Sequence, residues 1–174
     1  FSDAQIEADA AKYSEYFEKH KKMLPGCNVR KNPYVKNTGK NDAYIRVRVL
    51  IPVSLFEVID GGPSYWVDSA LEHEVTSEAV KAYNRAGYKA TNVKQVEREG
   101  ISYYEFDFTY LDPVKPGELT FWNVWSNIAI NKSVTADKLK DVDSFDVIFE
   151  ADAIQTEGFA SAAEAFAAFD AEKK

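Results

Sequence analysis

A chain of 174 residues with 45% hydrophobic content is long enough to bury a substantial core and short for two, so a single domain spanning residues 1–174 is expected. Acids outnumber bases by 28 to 21, and the resulting net charge of −7 disfavours nucleic acid as a general partner. One cysteine, Cys27, excludes an intrachain disulfide and every multi-cysteine metal motif, and no apolar run approaches the roughly 20 residues that a membrane-spanning helix needs.

The charge is unevenly placed. Between Lys19 and Asn41 there is no acid, and Lys19, Lys21, Lys22, Arg30, Lys31, Lys36 and Lys40 make that stretch basic, whereas Asp141 to Asp170 is acidic in return. The first residue is Phe1 and no signal-peptide core is present, which fits a processed chain in a secreted or periplasmic setting and leaves a cytoplasmic one open.

Ser2 and Gln5 have the spacing of a capping box, and Ile6, Ala10, Tyr13, Phe17, His20 and Leu24 then recur at helical steps until Pro25 and Gly26 end the pattern. From Cys27 to Asn41 the density of Asn, Pro and Gly reads as a loop. A strand is expected over Tyr44 to Ile51, with Ile45, Val47, Val49 and Ile51 inward, Arg46 and Arg48 outward, and Pro52 weakening the ladder. After a turn at Asp60–Ser64, Asp68 is placed to cap a second helix whose stripe runs from Leu71 to Ala86, and Gly87 stops it.

Three strands of a meander follow. The first passes through Val93 and Val96 and turns at Glu99–Gly100. The second, Ile101–Leu111, puts Tyr104, Phe106, Phe108 and Tyr110 on one face and Tyr103, Glu105, Asp107 and Thr109 on the other. The third, Leu119–Asn131, is reached through Asp112, Pro113, Pro116 and Gly117. Its even positions Trp122, Val124, Ile128 and Ile130 suit a core, and its odd positions Phe121, Asn123, Trp125, Asn127 and Asn131 mix rings with amides. A short helix near Ala136–Lys140, a strand over Phe145–Glu150, and a helix opened by Ser161 and Glu164 and carrying Phe166 and Phe169 complete the chain. Clustered alternating strands imply an α+β fold, a curved, mainly antiparallel sheet packed against N-terminal and central helices. In element order alone this resembles NTF2-like, cystatin-like and ferredoxin-like folds.

Candidate chemistry is sparse. Glu105 and Asp107, two apart on one strand face, would stand about 7 Å from each other, a separation that an inverting glycosidase uses, although Arg46 and Arg48 offer both acids a structural partnership. His20 lies on an apolar helix face and is the remaining acid–base candidate. His73 between Glu72 and Glu74 forms no metal-binding face, so neither metal nor other cofactor is expected. GxSxG, P-loop and GxGxxG patterns are absent. Arg30, Lys31, Tyr34 and Lys36 interleave charge with a ring and could hold an anion. Asn131, Lys132 and Ser133 form a glycosylation sequon.

The combination of rings and amides at Phe121, Asn123, Trp125 and Asn127, with Trp66 and Tyr103, suits a small polar organic ligand: rings supply stacking area and amides fix orientation. The leading expectation is a non-catalytic domain that binds such a ligand or a protein partner on this face. A small-molecule enzyme using His20, Glu105 or Asp107 is the runner-up. A structural subunit, in which the basic connector of one copy meets the acidic C-terminal third of another in a homo-oligomer, is the third.

Overall fold

The computed structural model describes residues 24–30, 33–60, 88–120 and 127–173. The two helices expected over residues 2–24 and 68–87 fall outside these, apart from the turn at Leu24–Cys27 where the first was expected to end, closed by Cys27 N–H donating to the Leu24 carbonyl at 2.9 Å.

The elements in chain order are β1 (Asn28–Arg30), β2 (Ala43–Pro52), the four-residue helix α1 (Val53–Phe56), β3 (Ile59–Asp60), β4 (Tyr88–Arg98), β5 (Ile101–Tyr110), β6 (Asn127–Ile130), a 3-10 turn at Lys138–Asp141, β7 (Ile148–Gln155) and α2 (Ala162–Glu172). The larger sheet is antiparallel with strand order β4-β5-β2-β7, and a second sheet has the order β1-β6-β3. The coarse class, mixed α+β with an antiparallel sheet, is the expected one.

β2 is central because its β-branched residues alternate without interruption. Ile45, Val47, Val49 and Ile51 are buried on one face and meet Phe106 and Phe108 of β5, in the register Val47↔Phe108 and Val49↔Phe106. Phe56 of α1 packs on the same face, its ring 5.1 Å from that of Tyr104 and 6.2 Å from that of Phe106. Ile128 and Ile130 of β6 join the same cluster, so the two sheets share one core.

The meander is corrected in one respect. β4 and β5 form the expected hairpin, with Glu99 (φ 52°) and Gly100 (φ 80°) both in the left-handed region that a two-residue turn of this hand requires. The neighbour on the other side of β5 is β2, however, and the third expected strand contributes β6 to the smaller sheet. Alternation reveals a strand and its buried face but carries no record of its neighbour, and the apolar face of Ile128 and Ile130 is satisfied equally well in either sheet.

Two smaller differences have similar causes. The connector expected to be a loop contributes β1, which pairs with β6. The last strand is Ile148–Gln155 instead of Phe145–Glu150: its pairing with β2 starts at Leu50↔Ile148 and carries it on through Ala151 and Ala153, poor strand formers that β2 holds opposite Val47 and Ile45. Among the described residues, the helix on the outer face of the larger sheet is the C-terminal one, α2, whose Phe166 ring lies under the Arg46 guanidinium at 4.6 Å.

Candidate functional site

On the outer face of the larger sheet, Glu105 is only 4% and Asp107 9% exposed. Burial of charge is tolerated there because the four strands bring opposite charges into register. Lys94 on β4 meets Glu105 at 2.9 Å and Arg98 reaches it at 3.4 Å, while Arg98 also grips Glu150 of β7 at 2.6 Å. Arg48 on β2 pairs with Asp152 at 3.1 Å, and Arg46 with Asp152 at 3.0 Å and with Asp170 of α2 at 2.7 Å. The Arg98 guanidinium holds the Glu150 carboxyl below its ordinary range and Arg46 does the same to Asp170. Asp107 moves the other way: burial pushes its carboxyl up, against the Asn92 amide and the Arg46 charge.

This arrangement is a neutralised cross-strand lattice. Within it, Glu150, Asp152 and Asp170 of the acidic C-terminal third find cations on β2 and β4 of the same chain. A raised carboxyl beside a second acid is one element of acid catalysis, but Glu105 and Asp107 face this lattice and neither lines the cavity described next.

That cavity, of about 460 Å3, opens where β5 runs into the following loop, and Tyr110, Asp112, Val114, Glu118, Leu119 and Thr120 are among its lining residues. Its wall is fixed by the connector. Val114 and Ala43 exchange backbone hydrogen bonds of 2.8 and 3.0 Å, Gly117 N–H donates to the Asn37 carbonyl at 2.7 Å, and Thr120 N–H to that of Val35 at 2.9 Å. Asn37, 6% exposed, locks the join: its Nδ2 donates to the carbonyls of Val114 and Asn41 at 2.7 and 2.8 Å, and its Oδ1 accepts from Gly39 N–H at 2.9 Å. Behind the cavity the rings of Tyr88 and Tyr110 are 4.9 Å apart, and burial pushes the Tyr88 phenol up to about 12, with the Thr120 hydroxyl acting in the opposite direction. The wall thus presents the Tyr110 ring and the carboxylates of Asp112 and Glu118, while the Thr120 hydroxyl is held inside it, accepting from Val35 N–H at 3.2 Å; among the described residues its lining includes no lysine or arginine.

Compared with known proteins, the chain matches no family model, no curated protein and no solved structure.

The expected site residues are scattered relative to this cavity. Leu119 and Thr120, which open the aromatic–amide stretch, line it. Phe121, Asn123, Trp125, Trp66, His20 and Lys31 lie outside the described residues, as do the side chains of Asn127 and Arg30, whose backbones pair in the smaller sheet. Tyr103 is buried on the outer face of β5. Tyr34 is half-buried, with its phenol close enough to act electrostatically on Tyr88, and Lys36 is exposed with its backbone bridged to Leu119. No group of three or more His, Cys, Asp or Glu able to hold a metal occurs among the described residues, and no helix among them is long and apolar enough to cross a membrane. Sequence reasoning missed the structural role of Asn37 and the cavity loop. The signal available was the Pro113, Pro116 and Gly117 spacing, which marks a shaped loop and not merely a turn.

Proposed function

We propose that the protein is a non-catalytic binding domain for a small polar organic ligand, seated in the cavity between the end of β5 and the Asp112–Thr120 loop. The cavity itself carries this reading: its volume falls within the range of small-molecule sites, and its wall combines an aromatic ring with carboxylate groups. The rim acids Asp112 and Glu118, with no lysine or arginine among the described lining residues, favour neutral or cationic ligands over anions. Binding is favoured over catalysis because burial moves the titration of the phenol behind the wall, Tyr88, further above neutral pH, so it stays protonated, the opposite of what a general base needs. The runner-up, a small-molecule enzyme, draws its support from the raised carboxyl of Asp107.

A thermal-shift screen with sugars, polyols, amino acids and amines tests the proposal. A ligand at 100 times its dissociation constant should stabilise the fold by about 2.7 kcal/mol. A hit should lose about tenfold or more in affinity when the rim is reversed by D112R or E118R. A hit indifferent to both substitutions would place the ligand elsewhere and end this reading of the cavity.

A further inference from the structure

We infer that α2 is a strap that undocks from the larger sheet as a unit, with Arg46 as its latch. Its hold on the sheet is small and concentrated. Along the helix only Ala165 and Phe166 are buried, while Ala163, Glu164, Ala167, Ala168, Asp170 and Ala171 are exposed. The polar hold centres on Arg46, which donates from Nη1 and Nη2 to the two oxygens of Asp170 at 2.7 and 2.8 Å and whose guanidinium lies 4.6 Å from the Phe166 ring and 5.9 Å from that of Phe169; at the helix end Lys173 adds a longer contact of 4.0 Å to Asp152.

The docked and released states are both provided for. When the helix leaves, Arg46 keeps Asp152, to which its Nε and Nη2 donate at 3.3 and 3.0 Å, so release strands no unpaired charge on the sheet. The helix carries its own start: Ser161 Oγ accepts from Glu164 N–H at 3.3 Å, and the Glu164 carboxylate accepts from Ala160 N–H at 2.8 Å. Between sheet and helix the chain turns at Gly158, whose φ of +90° is open to glycine and strained for other residues, and a Cβ added there would meet nothing within 4 Å. The sheet ends independently just before it, where Thr156 N–H donates to the Asp42 carbonyl at 3.0 Å. Release would uncover Arg46 on β2 and Asp152 on β7 on the outer face.

Native-state hydrogen exchange on the full chain tests this by comparing α2 amides with those of β2 and β5. Because Asp170 is 53% exposed, salt screens its pair with Arg46, and opening should respond to ionic strength. The α2 amides should be protected yet exchange about tenfold or more faster than β2 amides, and faster again by about threefold to tenfold in D170N or at high salt, with β2 and β5 unchanged. The variant R46K, which keeps the charge and loses the two-pronged grip, should lie between wild type and D170N. Two results would overturn the inference: α2 and β2 amides exchanging together under every condition, or α2 amides already without protection in the wild type at low salt.

Discussion

The side chain of Asn37 donates to the backbone carbonyl of Val114 at 2.7 Å across 77 positions of sequence, and this bond ties the connector before β2 to the loop that walls the cavity. An asparagine is demanded there because both functions of its amide are in use. Its NH2 satisfies the carbonyls of Val114 and Asn41 while its oxygen satisfies Gly39 N–H. N37A should therefore cost about 2–3 kcal/mol in a urea titration, the penalty for buried partners left unmet. N37D should cost at least as much, since it turns the donor into a charge facing two carbonyl oxygens. If N37A were as stable as wild type, the connector would not hold the cavity wall.

Glu105 and Asp107 share a strand face, yet their substitutions should have different signs. Glu105 is buried and accepts from Lys94 and Arg98, so E105Q should destabilise by about 1–2 kcal/mol, less than a wholly buried pair because both cations keep contact with water. Asp107 has its carboxyl raised chiefly by burial, so its ionised form is disfavoured in the fold. The wild type then gains stability as pH falls through that raised value, and D107N forgoes the gain. D107N should melt at the same temperature as wild type or higher at pH 7, and the difference should shrink as the pH is lowered below the carboxylate range. Melts of both variants across pH 3–8 read this directly, and a large loss in D107N at pH 7 would argue for a working carboxylate.

The contrast between these acids shows what the sequence could and could not convey. Alternation in Ile101–Leu111 identified the strand, its apolar face and the Glu99–Gly100 hairpin, because period and turn chemistry are local. That Arg46, 106 positions before Asp152 and 124 before Asp170, would neutralise both is a property of strand order, which local periodicity does not carry. The cavity was hidden for the same reason. Tyr110 was legible as core and Thr120 as the start of a strand, but their convergence depends on Asn37 folding the connector against both.

At Gly100 the backbone has φ 80° and an added Cβ would touch nothing within 4 Å, so conformation alone decides the cost of a side chain. G100A should destabilise by about 1 kcal/mol, and G100N by less, because asparagine tolerates the left-handed region. Equal stability of the two variants would show that the turn relaxes to another form.

Tyr88 should dominate the response to alkali. Burial raises its phenol to about 12, while an unfolded chain ionises near the ordinary value of 10, so ionisation favours the unfolded state as pH climbs from about 10. Stability from this group is fully present at neutral pH and is lost through that window. In a spectrophotometric titration of phenolate absorbance, one tyrosine should ionise late or together with unfolding, and Y88F should lack that step. At pH 7 the substitution should change stability by less than about 1 kcal/mol, because it keeps the ring packed 4.9 Å from Tyr110 and removes a hydroxyl that is itself buried. Above pH 10, Y88F should outlast the wild type. An unchanged alkaline midpoint in Y88F would show that another buried group sets the limit and that the phenol behind the cavity has freer access to water than its burial implies.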